Sequence, residues 1–269
     1  MKRTYLTLAV AMLAALGMAQ TAPPHANANA AFDSYVAQLE SQLEQQHRSP
    51  DGYIAVAGTD SQASDARLRK EELILEKKAA GKKVPGGLIH HWRGTVFVPG
   101  ATAKDFLRVV QDVDHFASYY TPQVVRSKLV ANSGEQRQVS MRLRQHKVIT
   151  VTLDTTYDVR YGALDSTHGY SISRSTQVSE IADAETAHEH ALAPGDDHGF
   201  MWRLNSYWSY AQRSDGLLLQ LEAVSLTRDI PLGLDWVIGP FVFSIPRESL
   251  EFTLNATRAA LLNGRHYGN

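Results

Sequence analysis

The sequence predicts an α+β fold: a curved antiparallel sheet of about six to seven strands wrapped around one long C-terminal helix. Three observations carry this. First, Phe200 to Arg228 reads FMWRLNSYWSYAQRSDGLLLQLEAVSLTR, two aromatic and aliphatic runs flanking Arg213-Ser214-Asp215-Gly216; Asp-Gly between such runs is a strong hairpin signal. Second, Pro246 to Leu262 carries Leu250, Leu254, Thr257 and Leu261 at helical spacing, a face suited to lie on a sheet. Third, the elements run strand, two helices, a series of strands, hairpin and final helix. That order is not alternating and points to antiparallel pairing.

The register of the hairpin follows from its side chains. Phe200, Trp202, Leu204, Trp208 and Tyr210 share one face of the first run, and Leu217, Leu219, Leu221, Ala223 and Ser225 one face of the second. The two faces coincide only if paired positions sum to an odd number. The turn therefore holds two or four residues, because a one-residue slip turns every side chain over. Each run spans about 33 Å at roughly 3.3 Å per residue. The final helix spans about 25 Å at roughly 1.5 Å per residue, so a single helix can lie across the pair.

The chain in order begins with Lys2 and Arg3, an apolar run from Leu6 to Leu16, and the small residues of Gly17-Met18-Ala19. Residues 1–19 read as a signal peptide cut near Ala19, and the protein as exported, periplasmic or secreted. The run is shorter than the roughly 20 residues a membrane span needs. Gln20 to Ala30 is an Ala, Pro and Asn-rich leader. Phe32, Tyr35, Val36, Leu39 and Leu43 define a helical face, ended at Ser49-Pro50-Asp51-Gly52. Arg67 to Lys78 suits either a helix or a strand, and Leu73-Ile74-Leu75 favours the strand. Gly81 to Gly87 reads as a linker. Residues 20–84 are thus an extension, 85–264 the main domain and 265–269 a tail.

Leu88 to Val98 reads as a strand closed by Pro99-Gly100. Thr102 and Asp105 stand at capping-box positions of a helix with Phe106, Val109, Val110 and Val113 on its apolar face. A short helix over Asp114 to Tyr120 stops at Pro122. Four strands follow, Val124 to Val130, Gln138 to His146, Val148 to Tyr161 and Tyr170 to Ile181, then a polar loop, Glu185 to Gly199. Pro231 to Ile245 is an apolar loop before the last helix. That helix starts at Pro246, a residue favoured in the first turn, and ends at Gly264.

Bulk properties narrow the function classes. Of 269 residues 43% are hydrophobic, enough for a packed core, and the formal net charge is -1. No basic excess exists to drive phosphate binding, which argues against nucleic acid as a partner. The absence of cysteine excludes disulfides, thiolate metal sites and a cysteine nucleophile.

Three segments carry a family resemblance: GLIHHWRGTVFVPGATAKDFLRVVQDVDHFASYYTP, DHGFMWRLNSYWSYAQRSDGLLLQLEAVSLTRDIP, and the SIPRESL entry to the last helix. Over roughly Gly86 to Gly264 the chain resembles the START-like, or polyketide cyclase and lipid-transport (SRPBCC), superfamily, and within it an uncharacterised exported bacterial group. The resemblance implies a helix-grip fold with a deep cavity between sheet and C-terminal helix. Some members of the superfamily are carriers and others cyclases or other enzymes.

The candidate ligand-binding set is Arg174, Trp202, Trp208, Tyr210, Leu219, Leu221, Leu250 and Leu254. Trp202, Trp208, Tyr210, Leu219 and Leu221 lie on the face taken as concave. Arg174 shares a face with Tyr170, Ile172, Thr176 and Val178. It must be paired if buried, by a ligand carboxylate or phosphate or by a protein carboxylate. Arg203, Asn205, Tyr207 and Glu222 take the other face of the hairpin: a polar outer row, covered by the N-terminal segment, or the polar end of the cavity if the faces are reversed. Arg142 and Arg144 read as outward. Leu234, Trp236, Val237, Phe241 and Phe243 could form a lid, touch a membrane surface, or fold down over the core. His188-Glu189-His190 and Asp196-Asp197-His198 sit in a polar loop without the convergence a zinc site needs, and His90 and His91 point to opposite faces. No nucleophile elbow, P-loop or dinucleotide fingerprint is present, so no catalytic residue, metal or cofactor is assigned. The function expected is non-enzymatic binding or carriage of a hydrophobic or amphipathic small molecule, lipid, quinone or polyketide-like. The alternative is a cyclase or dehydratase using the same cavity.

Overall fold

A computed structural model describes residues 26–56, 61–134, 136–147, 149–193, 195–230 and 235–263. The proposed signal peptide, the first part of the leader and the tail lie outside the described residues.

The chain opens with helix α1, Ala26–Gln46, and a short helix α2, Ser61–Arg69. Strands β1, Ile74–Val84, and β2, Gly87–Pro99, follow as a hairpin. Helix α3, Ala103–Gln111, a 3-10 turn, Val113–His115, and α4, Phe116–Tyr119, lead into β3, Val124–Ser133. Next come β4, Gln136–His146, β5, Thr150–Ala163, β6, His168–Ala182, and the two-residue β7, His190–Ala191. The long hairpin is β8, Arg203–Arg213, and β9, Gly216–Arg228, and the chain closes with α5, Asp235–Asn263. The sheet runs β1-β2-β9-β8-β6-β5-β4-β3, with β7 paired to β6, and every pairing is antiparallel.

The α+β class and the antiparallel sheet around a C-terminal helix agree with the sequence reading, but the sheet has nine strands rather than six to seven. The extra strands have weak signatures. β1 reads ILEKKAAGKKV, and lysines on an edge strand protect it from pairing with other chains while hiding its strand character. β7 is two residues long. The supposed linker from Gly81 to Gly87 is the end of β1, a tight turn with Gly86 at φ 77°, and the first residue of β2. A boundary at residue 85 would therefore cut a hairpin. Arg67 to Lys78 divides between the end of α2 and the start of β1.

In the β8/β9 hairpin Trp208 faces Leu221, Tyr210 faces Leu219, and Arg213 faces Gly216 across a two-residue turn. These are the odd-sum pairs that the shared apolar face demands. Thr102 and Asp105 form a complete capping box at the start of α3.

The last helix differs from expectation. It begins at Asp235, not Pro246, and is continuous over 29 residues. Pro246 sits in its interior, where its ring has no N–H to donate to the Val242 carbonyl. Both residues face the cavity described below, so the defect falls where there is space rather than packing. Proline favours a first turn, but here the mostly apolar residues before it, Phe241, Val242, Phe243 and Ile245, are already helical and carry the helix through it.

The sheet is packed on both faces. On the inner face α3 and α5 cover Val96, Val98, Trp208, Tyr210, Leu217, Leu219 and Leu221. On the outer face α1 lays Phe32, Val36, Leu39 and Leu43 against Ile89, Tyr207, Val224 and Leu226. Helix α5 sits chiefly over β2. It comes so close at Gly94 that a Cβ there would lie 2.3 Å from Leu254 Cδ1. The helix is thereby drawn to one side of the sheet.

Candidate ligand-binding site

Because α5 hugs β2, the inner faces of β4 to β9 are not filled by it. Between them, α3, α4 and the first half of α5 lies a cavity of about 400 Å³, within the roughly 300–1,000 Å³ of small-molecule pockets. Its floor explains the space. Ser173 on β6 pairs across to Ser206 on β8, which pairs to Ala223 on β9. Small side chains in one cross-strand row leave room that the flanking Trp208, Leu204 and Tyr157 would otherwise occupy. The walls are Val139, Met141, Leu143, Leu153 and Val159.

Charge is confined to one end. The cavity-lining residues that can carry it are Arg144, His198, Arg228 and Asp229. They stand where β4 and β9 end, beside Val242 and Ile245 of α5, and this end is read as the mouth. Arg144 is paired with Glu185, and His198 Nδ1 lies 2.6 Å from Glu180 Oε1. The opposite end is closed by tyrosines. Tyr161 donates to the Val110 carbonyl at 2.8 Å, and the Tyr120 hydroxyl meets that of Thr257 at 3.0 Å. Burial raises the pKa of Tyr120, and pushes those of Tyr157 and Tyr161 up to about 12, so all three stay protonated near neutrality.

The sequence-selected residues divide between the two faces. Trp208, Leu221 and Leu250 line the cavity. Tyr210, Leu219 and Leu254 are in the inner core beside it, packed solid and outside the cavity wall. Trp202 packs with the outer cluster, its indole N–H donating to Asp197 at 2.8 Å. Arg174 lies outside as well. Its guanidinium grips Glu40 of α1 with two bonds of 2.7 Å, so the protein carboxylate and not a ligand is its partner. The serines that alternate with it, Ser171 and Ser173, face the cavity instead. Hydrophobicity misleads on β6 because α1 buries the outer face too, and Ile172 packs there.

Arg203, Asn205, Tyr207 and Glu222 form the outer row, covered by the N-terminal segment. Arg203 pairs with Asp33, and Tyr207 donates to Glu40 and accepts from the Asn205 amide. Glu222 accepts from His91 Nε2 at 2.6 Å and from Arg93 at 2.8 and 2.9 Å, while Tyr35 of α1 meets His91 Nδ1. Arg142, outward as expected, is clamped by Asp154 and Glu189, which ties the 183–191 loop to the sheet. Glu189 is thus engaged. Among the described residues no three metal-ligating side chains converge. Of the lid set, Leu234 and the side chains of Trp236 and Val237 lie outside the described residues. Phe241 is half-buried. Phe243 is 39% exposed and leans on Gly81 and on the ring of His90. No helix among the described residues is long and apolar enough to cross a membrane.

Two histidines, one buried and one half-buried, link this architecture to pH. His90 is fully buried, and His47 stacks between the Tyr53 and Tyr170 rings. Burial lowers both pKa values to about 4 from 6.5. The unfolded chain therefore takes up protons first as pH falls. Stability is complete above about pH 6.5 and declines towards about pH 4. Urea denaturation is expected to show a lower midpoint at about pH 5 than at about pH 7. The loss is up to about 2 kcal/mol for His90 and less for the partly exposed His47. His90→Gln should flatten the profile.

A bent antiparallel sheet, a C-terminal helix in its hollow and a largely apolar cavity between them define a helix-grip protein with an internal chamber. No protein-family model and no curated protein matches the sequence. Among solved structures the chain is similar to a STAR-related lipid transfer protein from Xanthomonas axonopodis, 20% identical with a TM-score of 0.43, over 68% of this chain and 97% of that one. It is also similar to a START superfamily protein from Mycobacterium smegmatis, 16% identical with a TM-score of 0.44, over 65% and 98%. A third likeness is the Zhui aromatase/cyclase from Streptomyces sp. R1128, 16% identical with a TM-score of 0.42, over 65% and 93%.

Proposed function

We propose that this protein binds and carries a hydrophobic or amphipathic small molecule in the cavity beneath α5, without transforming it. The observation that supports this is the chamber of about 400 Å³, lined by apolar side chains and neutral hydroxyls and amides except at the mouth, where Arg144, His198, Arg228 and Asp229 stand. Away from the mouth, the ionisable groups on that lining are tyrosines that burial keeps protonated. Acid–base catalysis works best with groups poised near the operating pH, which these are not. The exposed Phe243, with Val242 and Ile245 at the mouth, offers a surface for loading from a membrane. Export through residues 1–19 would place the carriage outside the cytoplasm.

Saturable binding of the neutral fluorophore N-phenyl-1-naphthylamine tests the reading, together with native mass spectrometry of protein from its host and organic extraction of any adduct. Ser206→Phe puts a ring onto the cavity floor. It should weaken fluorophore binding by about 100-fold, the cost of losing a few kcal/mol of contact, while thermal stability holds or rises as the void fills. Unchanged binding in that variant, or no saturable binding in the wild type, overturns the proposal.

A further inference from the structure

Resting on the carrier reading, we propose that the protein exchanges its ligand while docked, mouth down, on an anionic lipid bilayer, held by Lys82 and Lys83 of β1, Arg228 of β9 and the exposed ring of Phe243.

The register gathers these residues at one end of the sheet. Lys83 pairs with Leu88, and Leu88 with Thr227, which lines the chamber at its mouth. Two strand spacings, about 10 Å, separate the Lys83 backbone from that rim. Lys82 stands one row further in, opposite Ile89, and Arg228 follows Thr227 in the row of Gly87. Phe243 reaches the same corner from α5. Its ring lies against Gly81, where a Cβ would strike it, and the residue is otherwise exposed. An aromatic ring held at its base and bare at its tip, with lysines beside it, has the make-up of an interfacial anchor.

The positive charges are free to act. Lys82 and Lys83 are exposed, and neither they nor Arg228 meets a carboxylate among the described residues; Lys82 rests over the Tyr35 ring at 5.1 Å. The acidic groups around the mouth are taken up elsewhere: Glu185 by Arg144, Glu180 by His198, Glu248 by Lys147 and Glu251 by Arg247. Asp229 alone is left against the three cations, so the rim is positive.

A bilayer suits this rim better than a polypeptide strand does. The register of β1 shifts between Lys77 and Ala79 and again between Ala80 and Lys82, which breaks the open ladder that an added strand would need. Lysine stems reach phosphates at varied heights without a fixed geometry. Each lysine near an anionic surface strengthens attachment by about fivefold.

Co-sedimentation with vesicles tests this, comparing phosphatidylcholine alone with phosphatidylcholine carrying about 30% phosphatidylglycerol. The wild type should bind the anionic vesicles at least about tenfold more tightly at about 0.05 M salt, and lose the preference at about 0.5 M. Lys82→Ala with Lys83→Ala should weaken that binding by about 25-fold, and Phe243→Ala by about tenfold. Lys77→Ala with Lys78→Ala, set further from the mouth where Lys77 faces Trp92, should cost about twofold or less. Each variant should keep the wild-type affinity for N-phenyl-1-naphthylamine in the absence of vesicles. Equal binding to both kinds of vesicle, or a Lys82/Lys83 variant that binds as the wild type does, overturns the docking and leaves those lysines as guards against edge pairing. Equal losses from the two lysine pairs overturn the mouth-down orientation. All three outcomes leave the carrier standing. Failure of the wild type to bind the fluorophore removes the carrier reading, and ligand exchange at the bilayer with it.

Discussion

Deletion of residues 1–56 is expected to abolish cooperative folding of the remainder, although that segment precedes the region of family resemblance. Helix α1 buries Ala28, Phe32, Val36, Leu39 and Leu43 against the outer face of β2, β8 and β9. Removing it uncovers Ile89, Val224 and Leu226, all at 0–1% exposure, on strands β2 and β9. Burying one large aliphatic side chain contributes about 1.5–3 kcal/mol. A handful on each side of the contact exceeds the roughly 5–15 kcal/mol by which a whole domain is stable. Polar contacts would be lost as well: Glu40 leaves Arg174 and Tyr207, and the Ala55 carbonyl leaves Arg93 and Gln220. The truncated chain should be insoluble, or soluble with no unfolding transition in urea. A milder form of the same test is Phe32→Ala, which should cost about 3–5 kcal/mol. If the truncated chain kept the full-length midpoint, α1 would be an ornament on an independent domain.

This dependence marks where sequence reading succeeds and where it fails. The hairpin's register was legible because two long apolar faces tolerate one alignment only, and Leu219 opposite Tyr210 follows from it. The capping box at Thr102 was legible because it is a local signal. Which face of β6 lines the cavity was not. Alternation separates Ser173 from Arg174, but it says nothing about what covers either side, and the apolar side proved to be the one under α1. The cavity itself is made by small residues, Ser173, Ser206 and Ala223, which carry no hydrophobic signal and so escaped a search for aromatic and aliphatic lining. Pro246 misled because a local preference for first turns was outweighed by the mostly apolar stretch before it.

The second large effect concerns Glu222, which catalytic reasoning would single out first and which the structure puts behind the sheet. Its carboxylate is 1% exposed and is met by His91 at 2.6 Å and by two nitrogens of Arg93 at 2.8 and 2.9 Å. Burial alone would push its pKa up, but the His91 bond and the Arg93 charge outweigh burial and hold it below the ordinary value. Its contribution to stability is therefore present above the ordinary carboxylate range and lost as pH falls through the depressed value. Glu222→Ala leaves the Arg93 guanidinium next to Glu76 at a longer 3.7 Å and strips His91 of its acceptor. Stranding a buried charge in this way costs about 3–5 kcal/mol, read as a lower urea midpoint with ligand binding by the surviving folded fraction unchanged. That second half separates an outer strut from a catalytic group, because the cavity lies on the other face of β9. Replacing the partners together, as Glu222→Leu with Arg93→Met and His91→Leu, should recover part of the loss, since an apolar set of similar volume has no charge to strand. A Glu222→Ala protein that melts normally but loses ligand binding would reverse the assignment of faces and return Glu222 to the cavity.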